Sequence, residues 1–323
     1  MPRIFISRKI PEAGIKKLRE FTNDFSVFPY DRPITEKELI ENIGDVEGLL
    51  CLLTDPITRR VIDAGRRLKI IANYAVGYEN IDVEHANKRG ILVTNTPGVL
   101  TDATAELAWA LLFACARRIV EADRFTREKR FNGWCPTLFL GTEFKGKTLG
   151  IIGVGRIGTA FALKGKGFGM RILYFDHHKN EVLENEIGAM MVKMEELLKK
   201  SDFILLHIPL TEKTYHLIGE REFALMKPSA YLINTSRGAV IDEKMLIQVL
   251  KKGRIRGAGL DVYENEPRMP EELIELPNVV LLPHIGSATY EARNKMAETA
   301  VENLIAGLTG RTPPNLISIP NTL

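Results

Sequence analysis

The sequence predicts an α/β chain of two doubly wound parallel-sheet domains, with helices on both faces of each sheet. Three observations carry this. Short apolar, β-branched runs alternate with helix-spaced segments along nearly the whole chain. The 323 residues are enough for two domains, each with a full core. One β-α-β stretch, Thr148 to Asp176, carries three glycines where a strand turns into a helix.

In chain order, Arg3 to Ser7 reads as a strand, Glu12 to Phe21 as a helix and Phe25 to Tyr30 as a second short strand. Thr35 and Glu38 form a capping box that opens a helix through about Ile43. The run GLLCLL is a strand that ends in the turn Thr54-Asp55-Pro56. A helix over Arg59 to Gly65, a strand over Lys69 to Tyr74, a helix near Val83 to Arg89 and the strand ILVTN complete the first block, which has no glycine fingerprint of its own. After Thr96-Pro97-Gly98, one long helix is expected from about Thr101 to Phe125. Arg127 to Gly146 breaks the pattern, with Trp134, Pro136, Phe139 and Phe144 close together. Such a cluster suits a partner surface or site wall, and equally packing onto its own domain.

The later strands are Met191 to Lys193, Phe203 to Ile208, AYLINT around Tyr231, Gly257 to Val262 and Val279 to His284. Helices fall at Glu195 to Lys200 and Asp242 to Lys252. A last helix, Ser287 to Leu308, is expected to return the chain to the first block, followed by the Pro-rich TPPNLISIP. The resulting division is 1–97 with 287–323, and 98–286.

The stretch from Thr148 to Asp176 holds the strongest motif. Gly153, Gly155 and Gly158 stand as G-x-G-x-x-G after the apolar TLGII. The first glycine allows the tight turn, the second leaves room for a pyrophosphate, and the third lets helix and strand pack closely. The amides of Val154, Arg156 and Ile157 are expected to face the phosphates at the positive end of the helix. A second strand, Arg171 to Phe175, ends at Asp176, in the ribose-reading place about 20 residues past the glycines. Glycine-rich loops alone are common; strand, helix, strand and terminal acid together specify a dinucleotide site.

Composition is ordinary for a globular chain, 45% hydrophobic and 26% charged. The apolar run Leu107 to Ala116 is too short to span a membrane, and MPRIFISRK lacks the apolar core of a signal peptide, so a cytoplasmic protein is expected. A net charge of +3 with scattered basic residues gives no nucleic-acid footprint, and KKGRIR at Lys251 to Arg256 reads as a solvated helix end. Cys51, Cys115 and Cys135, odd in number and without C-x-x-C, read as reduced thiols. No metal is called for.

Arg237, Glu266 and His284 each follow a separate strand. In open parallel sheets the carboxyl ends of strands line the ligand crevice, so the three could converge beside a nicotinamide. Their types suit reduction of a 2-keto acid. Histidine can donate a proton near neutral pH, a carboxylate on its other ring nitrogen favours the imidazolium, and arginine grips a substrate carboxylate bidentately. Taken singly, each is more often a solvated loop or structural residue. His85, His177, His178 and His216 lie in helix or loop contexts, and His207 sits within a strand as a core residue would.

GVGRIG…D, LINTSRGAVID, GAGLDVYENEP and LPHIGSAT resemble the D-2-hydroxyacid dehydrogenase family in order and spacing, over nearly the whole chain. NYAVGYENID, TNTPGVLTDATAELA and GW-x-P-x-x-F-L-G are most similar to its archaeal-type glyoxylate reductases. The resemblance implies a Rossmann coenzyme domain inserted in a flavodoxin-like substrate domain. It makes Arg237, Glu266 and His284 the catalytic set, with His284 as proton donor. It implies that backbone amides at Val76-Gly77 hold the substrate carboxylate, as small anion nests do. Thr104, Pro209, Thr235, Ser236, Asp261 and Gly286 match positions around the cofactor. Trp134 matches an aromatic that reaches the neighbouring subunit's site in a homodimer, and the long helix from Thr101 matches the dimer element.

Many relatives that prefer NADPH carry Ser-Arg where this chain has Asp176-His177-His178. Asp176 would repel a 2′-phosphate, while His177, His178 and Lys179 soften that repulsion. NADH is therefore the expected cofactor, with NADP(H) as the alternative. The arginine usual in phosphoglycerate dehydrogenases is absent from Asn73 to Gly77, which favours a small unphosphorylated 2-keto or 2-hydroxy acid, glyoxylate before hydroxypyruvate. Glutamate at 266 argues against a formate dehydrogenase. An NADH-sensing corepressor-like protein would keep the same residues and stands as the alternative of another class.

Overall fold

The computed structural model describes residues 2–317. The chain forms two compact units, one of residues up to Leu100 together with those from Ala288, the other of Thr101–Ser287.

In the first unit, strands β1 (Ile4–Ile6), β2 (Phe25–Val27), β3 (Gly48–Leu52), β4 (Ile70–Tyr74) and β5 (Leu92–Thr94) form a parallel sheet in the order β2-β1-β3-β4-β5. This is the flavodoxin-like order. Side chains alternate across it. Leu49, Cys51, Ile71 and Val93 join a core with Leu39, Ile43, Val61, Ile62 and Ala86 from three helices. On another face, helices Glu12–Phe21 and Tyr290–Leu308 pack so closely that a Cβ on Gly14 would lie 2.8 Å from the Ala297 Cβ. The expected capping box is present at helix Glu36–Ile43, with Glu38 N–H donating to Thr35 Oγ1 and Thr35 N–H to Glu38 Oε2. Phe25 to Tyr30 is a strand only over Phe25–Val27, because its partner β1 offers three residues to pair with. The last part of the Pro-rich tail, from residue 318, lies outside the described residues.

In the second unit, β6 (Thr148–Ile152), β7 (Arg171–Phe175), β8 (Met190–Met191), β9 (Phe203–Leu206), β10 (Tyr231–Asn234), β11 (Gly257–Leu260) and β12 (Val279–Leu281) pair in parallel, in the order β12-β11-β10-β9-β6-β7-β8. The chain progresses outward from β6 in one direction and from β9 in the other. The topological switch point therefore falls between them, where doubly wound sheets bind ligands. Separate apolar clusters cover the two faces. Leu149, Ile151, Phe203, Leu205 and Ile233 lie in one, and Ile152, Ile204, Leu206, Leu232 and Leu260 in the other.

The single helix expected from Thr101 to Phe125 is two helices, Thr101–Ala116 and Ile119–Arg127. Arg118 between them is left-handed, with φ 54°. The cause is tertiary. The Ala116 carbonyl accepts from Thr142 N–H at 2.8 Å, and Gly141 lies so close that a Cβ there would be 2.4 Å from that oxygen. The first helix is apolar around much of its circumference and buried accordingly, whereas the second buries none of its residues.

Candidate active site

The glycine turn follows β6 directly. Gly153 has φ +92°, and a Cβ on it would sit 2.6 Å from the His207 carbonyl; a Cβ on Gly158 would sit 2.1 Å from the Gly153 carbonyl. Both positions require glycine for closeness. Gly155 differs, since a Cβ there meets nothing within 4 Å. It borders open space at the start of helix Arg156–Gly165, whose first turn has no side-chain cap. The amides of Arg156 and Ile157 thus open a helix whose positive end is left for an anion.

One expectation needs correction. The Val154 amide donates at 2.7 Å to Asp176 Oδ2, inside the protein's own turn, and not toward a phosphate. His177 N–H takes the other oxygen at 2.6 Å. Val154 therefore holds the acid that ends β7. Asn180, whose side chain donates to Val154 O and Thr159 Oγ1, steadies the same turn. The side chains of His177, His178 and Lys179 are exposed beside it.

Beyond the C-terminal ends of β10, β11 and β12 stand Arg237, Glu266 and His284. His284 Nδ1 is 2.7 Å from Glu266 Oε2, and the other carboxylate oxygen accepts from Tyr263 N–H at 3.0 Å. Burial pushes the Glu266 carboxyl up. The His284 hydrogen bond and charge, the Tyr263 amide and the Arg237 charge outweigh it, and the net position is below the usual 4.5. Arg237 is thus within electrostatic reach of Glu266; its Nη1 donates to Ser236 O at 2.7 Å. His284 itself has φ +56°, a left-handed geometry that histidine adopts more readily than bulky residues and that often marks a functional turn.

Two residues that sequence reasoning passed over bring these loops together. Asn234 accepts from Ser236 N–H and Oγ–H and donates to Arg237 O at 2.9 Å, shaping the turn that carries the arginine. Gly238 lies against the Tyr263–Glu264 backbone, where a Cβ would fall 1.8 Å from the Tyr263 carbonyl carbon. The signal was the RG pair after LINTS, whose glycine is legible only once its neighbour is known.

Asp261 is buried and accepts from Ile285 N–H at 2.8 Å; burial raises its carboxyl, against the Ile285 and Gly286 amides. A Cβ on Gly286 would approach Asp261 Oδ2 at 3.3 Å and Thr104 Cγ2 at 3.4 Å, so these three expected cofactor positions are neighbours. Thr235 and Ser236 are buried, and the Thr235 hydroxyl has no partner among the described residues. Pro209 is exposed just after β9. An orphaned hydroxyl, an uncapped helix end and an open glycine edge fit a nicotinamide dinucleotide.

Val76 and Gly77 follow β4 in the other unit, and their carbonyls are tied to Asn95 and Asn73. Trp134 is 84% exposed, so of the aromatic cluster it does not pack on its own unit, while Phe144 does. The remaining histidines have other surroundings. His85 pairs with Asp63 at 2.8 Å, and His216 lies 3.1 Å from Glu264. Burial lowers His207 to about 4 beside Phe161. Cys51 and Cys115 are buried and Cys135 is exposed. Among the described residues no group of three or more His, Cys, Asp or Glu could hold a metal, and no helix is long and apolar enough to cross a membrane.

A doubly wound sheet, a glycine turn feeding an uncapped helix, an acid at the next strand end and a His–Glu pair beyond the ends of β11 and β12 define a dinucleotide-binding oxidoreductase of the α/β class. Residues 109–286 match the family described as D-isomer specific 2-hydroxyacid dehydrogenase, NAD binding domain. The chain is 56% identical over 321 residues to a glyoxylate reductase of Thermococcus litoralis, covering 98% of this chain and 97% of the relative. It resembles the crystal structure of a glyoxylate reductase from Paecilomyes thermophila, with TM-score 0.86, 34% identity and coverage of 98% and 99%. It also resembles an NADPH-dependent glyoxylate/hydroxypyruvate reductase from Sinorhizobium meliloti in complex with NADP and malonate, with TM-score 0.85, 32% identity and coverage of 98% and 97%. The chain belongs to the D-isomer-specific 2-hydroxyacid dehydrogenases.

Proposed function

We propose that this chain reduces glyoxylate, and less efficiently hydroxypyruvate, with NADH as the favoured cofactor. The observation that carries the reading is the 2.7 Å contact between His284 Nδ1 and Glu266 Oε2, within the electrostatic reach of Arg237. The identity to glyoxylate reductases supports the choice of acid. The bound dinucleotide would supply the hydride. Glu266 holds the His284 ring by Nδ1, which leaves Nε2 as the atom that delivers the proton to the carbonyl oxygen. Arg237 grips the carboxylate of the acid and draws charge onto its carbonyl oxygen. The amides of Val76 and Gly77 hold that carboxylate as well, in the segment 1–97 that with 287–323 makes up the substrate domain; 98–286 binds the cofactor.

On this reading Gly155, Arg156 and Ile157 flank the pyrophosphate, with Gly153 forming the tight turn and Gly158 packing the helix against the strand beside it. Thr104, Pro209, Thr235, Ser236, Asp261 and Gly286 surround the nicotinamide end. Asp176, pinned by Val154, reads the ribose and favours NADH, while His177 and His178 leave NADPH usable. A homodimer covers the exposed Ile119, Val120, Phe131, Leu138 and Leu140, and Trp134 completes the partner's site. The test is cofactor oxidation with glyoxylate, hydroxypyruvate, pyruvate and phosphohydroxypyruvate, each with NADH and NADPH. Turnover should be highest with glyoxylate and NADH. No turnover with any of the acids would end the reading.

A further inference from the structure

The loop after β4 has an arrangement of backbone groups that neither its length nor its composition announces. Three successive carbonyls are fastened. Ala75 O accepts from Thr96 N–H at 2.8 Å, Val76 O from Asn95 Nδ2 at 2.7 Å, and Gly77 O from Asn73 Nδ2 at 2.7 Å. In a trans peptide the carbonyl and the following N–H point in opposite directions. Fixing those oxygens therefore aims the amides of Val76, Gly77 and Tyr78 away from their fasteners. None of the three amides has an acceptor among the described residues. Val76 and Gly77 are half-buried and Tyr78 is 42% exposed, so this segment lies at the surface of the unit. Successive unpaired amides of this kind are an anion nest.

The two asparagines are themselves held. Asn73 is fully buried in the sheet, and its Oδ1 lies 3.6 Å from the Cys51 Sγ, which donates to it. That contact leaves Nδ2 facing Gly77 O. Asn95 is anchored through its backbone. Buried Asn303, on helix Tyr290–Leu308, donates to Asn95 O at 2.9 Å and accepts from Asn315 N–H at 3.1 Å. Neither side chain is a spectator of packing. Each spends its amide donor on one carbonyl of the same loop.

We propose that Asn95 and Asn73 are positioning residues for the substrate's carboxylate, Asn95 by aiming the Gly77 amide and Asn73 by aiming that of Tyr78, which becomes a third donor beside Val76 and Gly77. This rests on the reading of the chain as a 2-keto acid reductase. Neither asparagine touches the acid or the reacting atoms. The loop is a recogniser of small carboxylates because its fastened carbonyls hold its amides in place, so little ordering is left to do on binding.

The experiment uses the full chain with Asn95→Ala and, separately, Asn73→Ala. Steady-state kinetics with glyoxylate and NADH are combined with inhibition by oxalate, a two-carbon dianion, and by ADP-ribose, which needs no carboxylate site. Both variants should raise the glyoxylate KM and the oxalate Ki by about tenfold or more, the scale of charge-assisted hydrogen bonds lost to misaimed donors. kcat should stay within about threefold, and the ADP-ribose Ki and the NADH KM should not move. Should buried Asn73→Ala prove too unstable to assay, half-buried Asn95→Ala carries the same test. Unchanged glyoxylate KM and oxalate Ki in Asn95→Ala overturn the proposal while leaving the reductase reading intact. Equal loss of oxalate and ADP-ribose binding, with a lowered melting temperature, overturns it in favour of general loosening. A wild-type chain inert toward every 2-keto acid removes the reductase reading and this proposal with it.

Discussion

The Glu266 carboxylate holds the His284 ring through Nδ1 at 2.7 Å and is itself held by the Tyr263 amide at 3.0 Å, so an acid from one loop fixes the imidazole of another. The interactions that lower the Glu266 carboxyl below 4.5 keep it ionised through the neutral range. Its stabilising contribution is present above that pH and is lost as pH falls through the lowered pKa. Glu266→Gln retains a hydrogen-bonding side chain but removes the charge and the titrating group. Its kcat should fall, and its kcat–pH profile should lose the acid limb that protonation of Glu266 gives the wild type. An undiminished kcat with an unchanged acid limb would mean that the carboxylate does not act through the histidine.

Arg237 sits on a turn shaped by Asn234 and pressed onto the Tyr263–Glu264 backbone at Gly238. Arg237→Ala should raise the glyoxylate KM and lower kcat together, because the guanidinium serves both grip and polarisation. Arg237→Lys should not restore the wild-type value, since a point charge cannot reproduce a planar fork. Steady-state kinetics on the two variants check this; full activity in Arg237→Lys would leave only a generic positive charge.

The glycines separate binding from folding. A Cβ on Gly158 would fall 2.1 Å from the Gly153 carbonyl, whereas one on Gly155 meets nothing within 4 Å. Gly158→Ala should therefore destabilise the chain, by roughly 1–3 kcal/mol as overpacking does. Gly155→Ala should leave the melting temperature nearly unchanged and weaken NADH binding. Thermal unfolding and NADH titration of both variants decide it. Intact NADH affinity in Gly155→Ala would show that nothing has to approach that edge.

Both oxygens of Asp176 are occupied by backbone amides, from Val154 and His177, which fixes the carboxylate in place at the end of β7. Asp176→Ser should shift the ratio of kcat/KM for NADH over NADPH toward NADPH by about tenfold or more, because removing a like charge lifts a repulsion worth a few kcal/mol. The ratio is read with glyoxylate saturating. An unmoved ratio would assign selectivity to His177, His178 or Lys179 instead.

What the sequence revealed and what it hid follow from the range of the interactions involved. The Thr35–Glu38 box, helix Glu12–Phe21 and the glycine turn rest on neighbours within a few positions, and all three stand where local chemistry puts them. The alternation of elements gave both parallel sheets. The break at Arg118 was invisible because Ala116 to Val120 holds no glycine or proline. The partner that ends the helix, Thr142, lies far along the chain. The Val154 amide goes to Asp176, a pairing that a strand-turn-helix pattern alone does not specify. Likewise, Asn73 and Asn95 look like ordinary residues at strand ends, and Gly238 like a turn glycine, until the carbonyls and backbone beside them are in view.

The most direct measurement compares glyoxylate-dependent NADH oxidation by the wild type and His284→Ala, with NADH affinity titrated separately. The expected result is a fall in kcat of about 10²–10⁴-fold in the variant, with NADH binding unchanged. A variant that turns over glyoxylate at the wild-type rate would contradict the assignment of His284 as the proton donor, and with it the chemistry assigned to this chain.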